Sequence, residues 1–187
     1  MAKSRLGVFN NVSLDGYFTD RNGDSRWGYQ NDPEWNNFIN ENAVGGGVLL
    51  FGRVTYDTMA SYWPTEDAIK TFPLVAKRLN SGAKVVFSRT LDKVSWGNTR
   101  LVKSDLVAEV RRMKEEGGED LIILGSGSIV AQLAKEGLID TYEVAIHPIA
   151  LGQGRTMFEG IKNSVALKLV KSRIFGNGCV VLTYEAI

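Results

Sequence analysis

One cysteine, Cys179, and one histidine, His147, are the only such residues among 187. Their scarcity excludes a disulfide within the chain and a Cys/His zinc cluster, so no metal is expected, and it fits a reducing cytoplasm. Long apolar runs are missing too. The leading MAKSRL carries positive charge without an apolar stretch suited to a signal peptide or a membrane span, so a cytoplasmic chain with no membrane contact is expected. Neither sign of charge dominates: Lys plus Arg number 22 against 21 Asp plus Glu, so no overall field recruits nucleic acid. Any anion must be held by local groups. Repeats, low-complexity tracts and linkers are absent as well, which predicts one domain over residues 1–187.

What is present is an α/β pattern. Short runs rich in Val, Ile and Leu alternate with segments of helical spacing, as in a mostly parallel sheet covered by helices. Strands are predicted at Arg5–Val12, Val48–Phe51, Lys84–Ser88, Thr99–Val102, Leu121–Leu124, Thr141–Pro148, Ala166–Phe175 and Cys179–Glu185. The last two read as an antiparallel hairpin, because FGNGC sets Gly-Asn-Gly between alternating segments. Helices are predicted at Asp32–Glu41, Arg53–Tyr62, Ala68–Asn80, Asp105–Glu116 and Ser128–Glu136, with Asp32 and Ser104 as N-caps.

Three strands end in the same way: VLLFGR, VVFSRT and LIILGSGS. In open α/β sheets ligands lie beyond the carboxyl ends of strands, so three such ends can converge on one long, charged ligand. Gly52 admits close approach of a phosphate, the helix after it offers first-turn N–H groups, Arg53 adds charge and Thr55 a hydroxyl. The alternative is a tight turn with a solvated arginine. The turn Gly125-Ser126-Gly127-Ser128-Ile129 suits a pyrophosphate, although Val130 stands where the G-x-G-x-x-G pattern needs its last glycine, which disfavours a standard Rossmann enzyme. Ser88-Arg89-Thr90 places a guanidinium between two hydroxyls, suited to a phosphate monoester such as the 2′-phosphate of NADP, unless Arg89 is simply a surface residue.

With SLDG at Ser13–Gly16 and the late stretch HPIALGQGRTMF, these motifs in this order resemble the dihydrofolate reductase fold. They resemble more closely the reductase domain of the bifunctional riboflavin-biosynthesis deaminase-reductase (RibD C-terminal type). The likeness covers nearly the whole chain and implies a stand-alone member with helices on both faces of the sheet. It further implies an NADPH-dependent reductase acting on a C=N or C=O of a small pterin- or pyrimidine-like heterocycle, and a homodimer. The enzymes it is related to on this reading are 5-amino-6-(5-phosphoribosylamino)uracil reductase and dihydrofolate reductase. The cofactor phosphates would rest on the two glycine turns, with the 2′-phosphate near Ser88, Arg89 and Thr90.

The stretch NVSLDGYF after the first strand admits two readings. Asp-Gly between apolar runs is a hairpin signal, whereas in the family this segment is a loop crossing the nicotinamide and substrate. On the second reading Asp15 is the catalytic candidate, orienting substrate or relaying a proton; on the first it only stabilises a turn. Asn11, Trp27, Asn36 and Tyr56 are the candidates for contacting substrate, Trp27 or Tyr56 being equally explicable as packing aromatics. Asn36 falls where dihydrofolate reductases carry a carboxylate, which argues against folate. The deaminase half's H-x-E and P-C-x-x-C motifs are missing, so reduction alone is expected. His147 and Cys179 read as buried structural residues. A non-catalytic nucleotide sensor of the same fold is the competing class.

Overall fold

The structure, a computed structural model, describes residues 2–28, 32–43 and 45–187. In chain order the strands are β1 (Leu6–Ser13), β2 (Tyr17–Asp20), β3 (Val48–Gly52), β4 (Lys84–Phe87), β5 (Thr99–Val102), β6 (Leu121–Leu124), β7 (Thr141–His147), β8 (Gly154–Thr156), β9 (Leu167–Ile174) and β10 (Val180–Ala186). The helices are α1 (Pro33–Ala43), α2 (Arg53–Tyr62), α3 (Glu66–Thr71), α4 (Pro73–Ser81), α5 (Leu106–Glu116) and α6 (Gly127–Lys135). Eight strands form one sheet in the order β5-β4-β3-β6-β1-β7-β10-β9. Pairing is parallel from β5 through β7 and antiparallel across β7-β10-β9. This is the mostly parallel sheet with a terminal hairpin that the residue pattern predicts.

Alternation along the strands divides the core. Leu49 and Phe51 of β3 pack with Val75 and Leu79 of α4, whereas Leu50 between them joins Ile129 and Leu133 of α6 on the opposite face. Helices therefore cover both faces, because successive side chains of a strand point to opposite sides. A third cluster lies where α1 meets the hairpin: Trp35 and Phe38 pack on Phe175, Cys179 and Val181. Among the described residues no helix is long and apolar enough to cross a membrane, and no group of His, Cys, Asp and Glu could hold a metal ion.

Two expectations need correction, and two strands are new. The helix predicted at Ala68–Asn80 is two helices, broken at Phe72 with φ −134° and ψ 64°. Pro73 is the cause, since the residue before a proline is pushed out of the helical region and proline itself suits a helix start. Asp105, not Ser104, caps α5, its carboxylate accepting the Ala108 N–H at 2.8 Å. Short strands β2 and β8, which the residue pattern does not announce, pair with each other.

That ribbon answers the question of the Asp-Gly turn. The Gly16 N–H does donate to Ser13 O at 2.9 Å, with Gly16 at φ +85°, so a turn forms. No hairpin with β1 follows. Both edges of β1 are already occupied, by β6 and β7, so the emerging chain pairs with β8 instead.

Candidate functional site

A cleft of about 1650 Å³ opens beyond the carboxyl ends of β4, β3, β6 and β1. Because β4, β3 and β6 are neighbours in the sheet, the three anion-suited strand ends lie side by side. Gly52, Arg53, Thr55, Ser88, Arg89 and Thr90 all line this cleft, as do Gly125, Ser126, Gly127, Ser128 and Ile129.

Hydrogen bonds lock the two glycine turns together. Ser126 Oγ accepts the Gly52 N–H at 3.1 Å, and Thr55 Oγ1 donates to Gly125 O at 3.1 Å. From below, Asn10 Oδ1 accepts the Gly125 N–H at 2.7 Å. Gly52 and Ser126 are the N-caps of α2 and α6, and neither gives its helix a side-chain cap. Two helix starts thus turn uncapped N–H groups and the positive ends of their dipoles toward one cleft, the arrangement that binds phosphates. At both turns the glycine faces side chains of the neighbouring helix start. Gly125 has φ +61°, a conformation that side chains rarely adopt, and a Cβ added to Gly52 would reach Ser128 Oγ and Ile129 Cδ1 at 3.7 Å.

Two arginines add charge at the rim. Arg53 lies 3.4 Å from Asp57, and both are half exposed, so that pair is weak. Arg89 is exposed and makes no ion pair among the described residues. Ser88 Oγ accepts the N–H groups of Thr90 and Leu91 at 3.2 and 3.1 Å, fixing the turn on which Arg89 stands.

At the other end the cleft passes between β1 and α1, lined by Asn10, Asn11, Trp35, Asn36, Ile39 and Leu49. Asn11, Asn36 and Asn42 bring carboxamides here, and Glu143 of β7, which accepts from Asn42 Nδ2 at 2.9 Å, brings a carboxylate. Among the described residues Asn36 Oδ1 is buried without a partner, as are Thr19 Oγ1 of β2 and, beside the Gly125 turn, Asn10 Nδ2. The carboxylates near α1 are engaged elsewhere. Asp32 Oδ1 caps the helix through the Trp35 N–H, while Glu34 and Glu41 pair with Arg173. None of the three lines the cleft.

Three candidate residues are placed away from the cleft. Asp15 does not line it. Its carboxylate accepts from Ser13 Oγ at 2.6 Å and from the N–H groups of Leu151 and Gly152, and these bonds, led by Ser13, hold its pKa at about 2. Such a group carries no proton near neutrality, and its contacts make it the tie between the β1–β2 turn and the LGQG stretch. Tyr56 is 4% exposed and its hydroxyl accepts the N–H groups of Ser95 and Trp96, so it braces the β4–β5 loop. Trp27 donates from Nε1 to Asp24 O and sets its ring against His147. Asn11 and Asn36 do line the cleft.

Residue patterns overlooked Asn10, Phe18 and Thr19 at the cleft wall. Asn10 had a signal: two adjacent asparagines inside an apolar strand place one of them in the interior, where an amide needs a partner. Phe18 had none, since only the fold brings its ring so close to Gly127 that an added Cβ would lie 2.3 Å away.

Residues 6–181 match the model of the RibD C-terminal domain family. The chain belongs to that family. A protein of Shewanella sp. PV-4, described as a riboflavin biosynthesis protein, superposes with a TM-score of 0.74 and 25% identity, over 98% of this chain and 99% of that one. The diaminohydroxyphosphoribosylaminopyrimidine deaminase/5-amino-6-(5-phosphoribosylamino)uracil reductase of Thermotoga maritima gives 0.68 and 17%, over 99% of this chain and 57% of its own length. Dihydrofolate reductase of Enterococcus faecalis, complexed with NADP(H), gives 0.65 and 14%, over 99% and 98%. This RibD C-terminal domain therefore has a dihydrofolate reductase-like fold.

Proposed function

We propose that this RibD C-terminal domain is an NADPH-dependent reductase of a small pterin- or pyrimidine-like heterocycle. The coarser reading, an oxidoreductase, has the support of the family and of relatives named as reductases. The observation that carries the finer reading is the pair of uncapped helix starts, joined through Ser126 and Gly52, with Arg89, which has no ion pair among the described residues, on the neighbouring strand end. NADPH, when bound, supplies the hydride. The first turns of α2 and α6 hold its diphosphate, and Arg89, on the turn fixed by Ser88, holds the 2′-phosphate.

The heterocycle occupies the space between α1 and the end of β1. Asn11 and Asn36 orient it there, and the buried partnerless atoms of Asn36 and Thr19 gain hydrogen bonds if the ring reaches them. Unpaired buried polar groups each cost about 1–3 kcal/mol, so a ligand that pairs them is favoured. The Asn11 and Asn36 carboxamides suit a ring bearing carbonyl and N–H groups, which they can meet as donor and as acceptor.

Calorimetry with NADPH and NADH, followed by loss of the reduced cofactor's absorbance with a panel of pterins and pyrimidines, tests the reading. Tighter binding of NADPH and turnover of at least one heterocycle are expected. No heat and no rise in Tm with NADPH would overturn it. A second reading, a nucleotide sensor, is favoured by the engagement of every α1 carboxylate in caps and ion pairs; it predicts NADPH binding with no turnover across the panel.

A further inference from the structure

His147 lies at the carboxyl end of β7, 1% exposed, with both ring nitrogens partnered. Cys179 Sγ is 3.2 Å from Nδ1, and Asn11 Oδ1 is 2.9 Å from Nε2. Trp27 and Trp35 meet the imidazole nearly edge-on, at centroid distances of 5.8 and 5.3 Å, so the ring cannot easily turn. Gly28 closes over the pair: a Cβ added there would lie 3.5 Å from Asn11 Cβ and 3.7 Å from Nε2.

Burial pushes the imidazole pKa down and, with the charge of Asp32, the thiol pKa up. Both groups are therefore neutral, and a neutral imidazole has one donor and one acceptor. Cys179 is fully buried, so its S–H needs an acceptor, and sulfur itself is a weak one. One arrangement satisfies every group. The thiol donates to Nδ1, Nε2–H donates to Asn11 Oδ1, and the Asn11 NH₂ is left on the other branch of the carboxamide. Asn11 lines the cleft, and no described residue accepts from its Nδ2. That atom is also absent from the buried, partnerless ones.

We propose that Cys179 and His147 are positioning residues that lock the Asn11 carboxamide with its NH₂ toward the cleft, so that a bound substrate must present a hydrogen-bond acceptor at the end of β1. The substrate clause rests on the reductase reading above; the lock does not. A free asparagine serves donors and acceptors alike by flipping its amide, whereas a locked one discriminates, because a substrate that offers a donor leaves two N–H groups facing each other. Neither Cys179 nor His147 lines the cleft, so neither touches the reacting atoms.

A single histidine makes the lock directly readable, since nitrogen-15 labelling of histidine gives one imidazole spectrum. Without ligand, the wild-type chain should show Nε2 protonated and Nδ1 bare. Cys179→Ala should give a mixture of tautomers, while Cys179→Ser, which keeps a donor, should hold the wild-type one. An Nδ1–H tautomer in the wild type, or a Cys179→Ala spectrum identical to it, overturns the lock. In the reductase assay, Asn11→Asp keeps an acceptor for Nε2–H but offers the cleft no donor. It should raise KM roughly tenfold with little change in NADPH affinity; an unchanged KM overturns the substrate clause. Absence of NADPH binding in the wild type overturns the reductase reading and that clause with it, while the ligand-free spectrum still decides the lock.

Discussion

Ser126 Oγ accepts the Gly52 N–H at 3.1 Å and so ties the start of α6 to the start of α2. Ser126 is 3% exposed, and its hydroxyl proton goes to Leu124 O at 3.2 Å. Removing this oxygen leaves a part-buried amide unpaired, a loss of about 1–3 kcal/mol. Ser126→Ala should lower Tm and also reduce the further rise that NADPH produces. An unchanged NADPH-induced rise, measured by thermal melts, would separate this bond from the cofactor site.

Arg89 tests the placement of the 2′-phosphate. A hydrogen bond to a charged group contributes about 1.5–3 kcal/mol. Arg89→Ala should therefore weaken NADPH roughly 10- to 150-fold in titration calorimetry and leave NADH nearly unaffected. Equal losses for both cofactors would move the 2′-phosphate elsewhere.

Tyr56→Phe should behave as a stability variant. The hydroxyl accepts two backbone N–H groups, from Ser95 at 2.9 Å and Trp96 at 3.1 Å, in a part-buried setting. Its removal should cost about 1–3 kcal/mol in urea unfolding, with KM little changed. A large rise in KM at unchanged stability would return Tyr56 to the substrate site.

The Asp15 tie should be sensitive to acid. Its folded pKa of about 2 lies below the ordinary 3.8, so the folded state favours the carboxylate. The tie is fully present above about pH 4 and is lost as pH falls through about 2. Amide proton shifts of Leu151 and Gly152 should report this midpoint by NMR. Asp15→Asn should abolish the titration; shifts that move with a midpoint near 4 would mean that the carboxylate is not held by these bonds.

The strand ends that line one side of the cleft were legible in the residue order. Glycine and helix-start residues directly after a strand act locally, so the turns at Gly52 and Gly125 could be read without knowing what lay beside them. Apolar alternation likewise announced the eight strands of the main sheet and the helices, apart from β2, β8 and the break at Pro73, a residue whose local effect was there to be read.

Amino-acid order alone determined which turns could bind phosphate, because backbone conformation and neighbouring side chains are properties of a few consecutive residues. Only the tertiary structure decided which groups Asp15, Asn11, His147 and Cys179 meet. Asp15 meets Leu151 across 136 residues, and His147 meets Asn11 across the same separation and Cys179 across 32. A hydrogen bond depends on tenths of an ångström and on direction, and distances of that kind are set by how β1, β7 and the β9–β10 hairpin pack, which no local stretch of sequence encodes.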